Sequence, residues 1–282
     1  MTAQETSRRT CTIAVLGATG TIGRYIAAGL ADQAVDARAV ARDPSRADVP
    51  LPAVHGDLTQ PGTLRTAFEG AERLLLLTPH GPDQDLHEAA AVEAARAAGV
   101  EYIVKISGGA PSLGPNGPSS TAVAHWRTER LIEESGMRWT FLRPSFVMQN
   151  LLELPLTAGF LLAPMGHAPI AMIDARDVAA CAVAALTSDD ADGAWHLTGP
   201  SGVTFDDAAR HLGARRYVNV PPRLAAAALR KRGASDFEVE HSIGMACYFA
   251  AGADGAPTDD VRRLAGRAPR SLEQFFKDEK GN

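Results

Sequence analysis

Gly17-Ala18-Thr19-Gly20-Thr21-Ile22-Gly23 decides how the rest of the chain is read. It follows a short apolar run, Thr12–Leu16, and opens a stretch of helical periodicity over Thr21–Asp32. Strand, glycine turn and helix in that order build an anion cradle, where backbone N–H groups and the helix dipole face phosphates. Each glycine has its own task. Gly17 permits the tight turn, Gly20 lets the backbone approach a pyrophosphate, and Gly23 lets the helix pack on the strand. The spacing is G-x-x-G-x-x-G, and its context gives it weight.

Outward from this turn, apolar runs alternate with helical patterns. Strands are predicted at Thr12–Leu16, Asp36–Ala41, Ala53–His55, Arg73–Leu77, Tyr102–Ile106 and Trp139–Leu142. Helices are predicted between them at Thr21–Asp32, Thr63–Glu69, Gln84–Ala98 and Ala122–Ser135. Such alternation builds a parallel sheet with helices on both faces. The unbroken Leu74–Leu77 run suits a strand covered on both sides. After Leu142 the pattern changes. Arg143 to Ile173 reads as loop, punctuated by Pro144, Pro155, Pro164 and Pro169. A helix over Asp174–Leu186 and a strand over Ala194–Leu197 follow, and then helical runs at Phe205–Leu212, Pro222–Arg232, Asp236–Ala250 and Leu272–Asp278. The expected fold is an α/β Rossmann-type parallel sheet with a small, mostly helical C-terminal lobe. Residues 1–150, rejoined by 174–198, form the nucleotide-binding domain, and 151–173 with 199–282 form the substrate lobe.

The end of the second strand bears on cofactor choice. An NAD-binding chain usually places an acidic residue there for the ribose 2′-hydroxyl. Here Ala41 is followed by Arg42, with Arg46 close behind. Arginine grips a 2′-phosphate bidentately, which favours NADP(H), with NADPH preferred over NADH. Against this, the two arginines can equally be a solvated pair. Asp43 is the competing candidate for an NAD contact, but before Pro44 it reads as a turn residue. Asp57 with Leu58, after the third strand, is placed to meet adenine or to cap a turn. Thr78-Pro79-His80 ends the fourth strand, and strand ends line the ligand crevice of such sheets. His80 is there a crevice residue or a solvated loop histidine. Lys105 and Ser107 end the fifth strand. Lys105 is expected to reach ribose or pyrophosphate or to orient substrate, and Ser107 is a crevice hydroxyl or a turn hydroxyl before Gly108-Gly109. The loop Pro111–Ser120 follows and overlies the same region.

Composition bounds the alternatives. The formal charge is −5 with no basic stripe, which excludes a nucleic-acid footprint. No run nears the length of a spanning helix, so no membrane role is expected. Three cysteines, Cys11, Cys181 and Cys247, make no disulfide or metal pattern. Met1 to Thr10 is polar and holds Arg8-Arg9. The apolar run behind it is too short for an export signal, so a cytoplasmic setting is expected. There is no G-x-S-x-G elbow, no P-loop and no H-x-x-x-H spacing.

At this point the chain resembles the atypical short-chain dehydrogenases of the NmrA-like family, especially its quinone-reductase-like and azoreductase-like members. The resemblance rests on Gly17–Gly23, Arg42-Asp43-Pro44, Gly56-Asp57-Leu58, Trp139–Pro144, Val147–Asn150, Asp174–Ala179 and Trp195–Pro200. It implies NADPH in an extended crevice, a C-terminal lobe that shapes the substrate site, and Phe146 and Asn150 near the nicotinamide. Loop packing is the competing role for both. Asp177 would be structural, and Ser107 would match the short-chain dehydrogenase serine that binds a substrate oxygen.

Typical short-chain dehydrogenases carry Tyr-x-x-x-Lys, whose phenol exchanges a proton with substrate. None of the four tyrosines here has lysine four residues on. The helix that should carry the pair has His125-Trp126-Arg127-Thr128-Glu129 instead. His125 shares a helix face with Glu129. Its ordinary pKa lies near working pH, so it is the candidate proton donor, or else a hydrogen-bonded helix histidine. Three functions stay open: an NADPH-dependent oxidoreductase giving hydride to a quinone, enone or related conjugated carbonyl; a non-catalytic NADP(H) sensor; and a tailoring enzyme of secondary metabolism, reductive or non-redox. The expected partner is a small aromatic or quinone-like molecule.

Overall fold

A computed structural model describes residues 12–281. The elements in chain order are β1 (Ile13–Leu16), α1 (Thr21–Asp32), β2 (Ala37–Ala41), β3 (Ala53–His55), α2 (Pro61–Phe68), β4 (Arg73–Leu76), α3 (Gln84–Ala98), β5 (Tyr102–Ile106), α4 (Ser120–Glu134) and β6 (Arg138–Pro144). They continue with β7 (Leu156–Thr157), β8 (Phe160–Ala163), α5 (Ala175–Thr187), β9 (Gly193–Leu197), α6 (Phe205–His211), β10 (Arg216–Asn219), α7 (Pro222–Lys231), α8 (Asp236–Ala250), α9 (Asp260–Ala265) and α10 (Leu272–Gly281).

Seven strands form one parallel sheet in the order β3-β2-β1-β4-β5-β6-β9. The order reverses between β1 and β4, and the crevice of a doubly wound sheet opens at that point. Residues alternate across the sheet, so each strand feeds two cores. Val15, Leu75, Tyr102 and Val104 pack under α1 and α5. Leu74, Leu76, Ile103 and Phe141 pack under α2, α3 and α4. Leu74, Leu75 and Leu76 have no exposed surface, as the unbroken run required.

Helix ends follow local chemistry. α3 stops at Gly99, held at φ +81°. α4 starts two residues earlier than its apolar pattern predicts, because the Ser119 side chain accepts from Ala122 N. α2 likewise starts early, with Pro61 in its first turn, where a missing N–H costs nothing.

The lobe departs from expectation. Part of the proline-rich stretch is a strand pair, β7 with β8, and β10 joins β8 in parallel from more than fifty residues away. That small sheet, with α6, α8 and α10, encloses a third core of Leu161, Tyr217, Phe205, Phe249 and Phe275. α9 was also not anticipated; it packs on α5 and β9. Asp177 fastens this region: its carboxylate takes Arg267 at 2.6 Å and the backbone and side chain of Arg270 at 2.6 and 2.7 Å. Cys181 is buried, and burial pushes its thiol up to about 12, while Cys247 is exposed. Cys11 and Arg8-Arg9 lie outside the described residues.

Candidate functional site

The glycine turn meets the sheet as its sequence required. Gly17 sits at φ +85°, and a Cβ there would stand 2.2 Å from the Leu77 carbonyl oxygen. The turn after β1 therefore lies against the turn after β4. A Cβ on Gly23 would stand 2.0 Å from Gly17 O, which is the close helix packing expected of the third glycine. A Cβ on Gly20 would meet only Gly17 O, at an ordinary 3.5 Å, and Gly20 caps α1 without a side chain. The first turn of α1 holds no acidic residue, so its orphan N–H groups and positive dipole end are uncommitted. Thr19, Gly20 and Thr21 are exposed there, Ile22 is half-buried, and Arg24 braces the turn by donating to Thr19 O at 3.0 Å. The cradle is shaped for a dinucleotide pyrophosphate.

At the end of β2, Arg42 and Arg46 are exposed and form no ion pair with any described residue. Asp43 accepts from Ser45 N and Ser45 Oγ, so it is the turn residue expected. Asp57 does the same. Its Oδ1 takes Thr59 N and Thr59 Oγ1, both at 2.9 Å, and those bonds hold its carboxyl below the usual range. Its carboxylate thus serves its own turn, and Leu58 is half-buried beside it.

Two expectations need correction. Lys105 does not face the crevice. Strand alternation turns it under α3 and α4, where its ammonium is fully buried 2.6 Å from Glu88. Glu88 also accepts from Thr78 Oγ1 at 2.7 Å, so of Thr78 only the backbone, with the exposed Pro79, is left at the crevice. Burial alone would raise the Glu88 carboxyl; Lys105 overrides it and holds it down to about 2. The second correction concerns His125. It does share a buried face with Glu129, which Arg143 clasps at 3.0 and 2.6 Å. But burial, and then the Lys105 charge, hold the imidazole well below its ordinary pKa. At neutral pH it is an uncharged hydrogen-bonding group, not an acid. Gln84 Nε2 lies 3.3 and 3.4 Å from its two ring nitrogens. The imidazoles of His80 and His241 complete a row, with ring centroids 5.7 Å apart for His125 and His80 and 4.9 Å for His80 and His241.

Ser107 stands where expected, at the end of β5. Its backbone donates to Leu142 O at 2.8 Å, while its buried Oγ has no partner among the described residues. Gly108 passes the edge of the His125 ring. Phe146 is turned into the lobe core, edge-on to Phe205 and Phe249 at 5.9 and 5.7 Å. Asn150 is exposed, and its neighbour Gln149 ties down the start of α5 through Asp174 and Ala175.

Sequence reading missed Gln84, Glu88, Ser145, His196, Tyr248 and Asp254. Gln84 and Glu88 carried a signal, because they share a helix face with Ala91 and Ala95 and so break an apolar stripe. The others come together only through the fold. His196 Nε2 stands 3.0 Å from Asp254 Oδ1, and Asp254 Oδ2 lies against Gly109. The hydroxyls of Ser145 and Tyr248 are buried without a partner among the described residues.

A sheet reversing beside an uncapped, glycine-lined helix N-terminus defines a dinucleotide-binding α/β protein. The chain belongs to the NAD(P)H-binding family, whose model matches residues 17–189. It is 31% identical to an NAD(P)H azoreductase of Xenophilus azovorans, over 94% of this chain and 96% of that one. It is 38% identical to a (4-alkanoyl-5-oxo-2,5-dihydrofuran-3-yl)methyl phosphate reductase of Streptomyces griseus, over 71% and 72%. A solved NADPH-dependent quinone oxidoreductase from Escherichia coli superposes with a TM-score of 0.83 at 25% identity, covering 95% of this chain and 99% of that one. The NmrA-like resemblance read from its motifs stands. Among the described residues, no helix is long and apolar enough to cross a membrane, and no cluster of His, Cys, Asp and Glu could hold a metal ion.

Proposed function

We propose that the protein is an NADPH-dependent reductase of quinones, enones or related conjugated acceptors. The carrying observation is the pairing of an open, uncapped phosphate cradle at Gly17–Gly23 with two uncommitted arginines, Arg42 and Arg46, at the next strand end. Residues Gly17, Thr19, Gly20, Thr21, Ile22 and Gly23 would hold the pyrophosphate, and Arg42 and Arg46 the 2′-phosphate. The backbone of Thr78-Pro79 and the edge around Asp57-Leu58 would flank the nucleoside halves. Bound nicotinamide supplies a hydride. The chain's own work is then to place the acceptor and stabilise negative charge on it. Ser107 offers an uncommitted hydroxyl, and neutral His125 lies beside the following turn. Donors fixed in a water-poor site stabilise such charge strongly. A conjugated acceptor can take its final proton from water, so the missing Tyr-x-x-x-Lys is tolerated. The names of the relatives, reductases of azo, dihydrofuran and quinone compounds, support an aromatic or conjugated substrate. Wide cysteine spacing, with Cys181 and Cys247 free, fits a cytoplasmic setting.

Fluorescence titration with NADPH and NADH, followed by NADPH consumption on a panel of quinones and azo dyes, tests this. NADPH should bind at least about ten times more tightly than NADH, and Arg42→Ala with Arg46→Ala should erase that preference. Equal affinities would refute the arginine assignment. A second reading, an NADP(H) sensor, is favoured by one observation: the helix face that should carry a phenol and lysine holds a neutral, buried histidine. Tight NADPH binding without turnover of any acceptor would select it.

A further inference from the structure

Three of the four tyrosines have plain structural duties or none. Tyr25 is 39% exposed on α1. The Tyr102 hydroxyl lies 2.5 Å from Thr140 Oγ1 inside the sheet. The Tyr217 hydroxyl accepts from Met165 N at 3.0 Å and donates to Ala163 O at 2.8 Å, which braces the small sheet. Tyr248 differs. Its hydroxyl is buried and bonded to no described residue. Buried hydroxyls are normally bonded, and an unbonded one costs stability that phenylalanine would not.

Its place in the fold is specific. Tyr248 sits on α8, the lobe helix that crosses the start of α4, where a Cβ on Gly244 would meet the Pro118 carbonyl oxygen at 2.0 Å. With Pro111–Pro118 it walls a cavity of about 390 Å³. That loop leads directly from Ser107-Gly108-Gly109, and Gly109 touches Asp254. Next along α8, Phe249 meets Tyr248 edge-on at 5.2 Å and packs on Phe146 at 5.7 Å. The unpartnered hydroxyls of Ser107 and Ser145 directly follow β5 and β6, and Tyr248, whose hydroxyl is likewise unpartnered, borders the loop that continues from Ser107.

We propose that Tyr248 is a catalytic hydrogen-bond donor. Delivered by the lobe, its phenol would donate to the carbonyl oxygen of the acceptor and take the task of the absent Tyr-x-x-x-Lys phenol. This deepens the reductase reading and rests on it. In the step, hydride adds to the conjugated system, the carbonyl π pair moves onto oxygen, and that oxygen takes its proton from water. Tyr248 keeps its proton throughout. Burial, and then the nearby Asp254 charge, raise its pKa, so the phenol is a donor and never a base at working pH.

Tyr248→Phe removes one oxygen and no hydrogen bond. The expected result is a loss of about 10²-fold in kcat/KM on the quinone panel, the size of one lost oxyanion donor. NADPH affinity and thermal midpoint should stay unchanged, or the midpoint should rise. Tyr102→Phe, which breaks a buried bond, should do the reverse: lower the midpoint and spare turnover. Wild-type turnover with Tyr248→Phe within about twofold of it would overturn the proposal. If the wild type reduces no acceptor, quinone binding to the protein–NADP+ complex is measured instead by fluorescence quenching. Binding at least about fivefold weaker in Tyr248→Phe then supports the donor role while the reductase reading falls. Equal binding, or none in the wild type, overturns the donor role as well.

Discussion

A methyl group at Gly17 would have nowhere to go. The position is left-handed at φ +85°, and the Leu77 carbonyl oxygen stands 2.2 Å from the point a Cβ would occupy. Gly17→Ala must push the turns after β1 and β4 apart. We expect at least a tenfold loss of NADPH affinity and about 1–3 kcal/mol of stability, the usual cost of one strained position. Titration and urea unfolding of the variant check both. Wild-type nucleotide affinity in Gly17→Ala would refute the cradle. This residue was legible in sequence because its constraint is local, a turn between a strand and a helix that adjoin it in the chain. Lys105 was not. Its chemistry suggested a phosphate or ribose contact, but strand parity put it on the helix-covered face.

At the scale of elements, α3 and β5 are joined by the buried pair of Glu88 and Lys105. A buried pair adds little net stability, yet breaking one is expensive, because the surviving charge is left uncompensated. Glu88→Gln should cost about 3–5 kcal/mol in urea unfolding, and Glu88→Gln with Lys105→Met should recover much of it. A single variant as stable as the wild type would show that the ammonium finds another partner. The strands of the main sheet were legible from their apolar runs, since each is covered on both faces and reads without interruption. The small sheet was not. β7 has two residues, and β8 finds β10 beyond α5, β9 and α6, a pairing that no local pattern announces.

Across the whole molecule, His125 from the sheet domain and His241 from the lobe meet His80 between them. Burial first, and for His125 the Lys105 charge next, hold both imidazoles below their ordinary pKa. Glu88 and, at His241, Glu240 act the other way. The unfolded chain therefore binds protons near pH 6.5 that the folded chain refuses. Where the unfolded state binds more protons, stability falls as pH falls. Stability should be full above about pH 7 and decline as pH drops through 6 to 5. Glu88 adds a second loss below about pH 4.5, because its folded pKa lies lower, at about 2. Thermal midpoints from pH 8 to 4 test this, and His125→Gln should flatten the upper part of the decline. A wild-type midpoint unchanged between pH 7.5 and 5 would contradict it.

The sequence by itself determined the doubly wound sheet, the glycine cradle, the arginine pair behind it and the absence of a Tyr-x-x-x-Lys motif. All of these follow from residues within a few positions of one another, where periodicity and turn chemistry act. Tertiary structure alone decided which side chains meet at the strand ends. It sent Lys105 to Glu88, kept His125 neutral, brought Asp254 and Ser145 against Gly109, and set Tyr248 beside the Pro111–Pro118 loop. Burial and the positions of distant charges fix those roles, and both exist only once the lobe has packed onto the sheet.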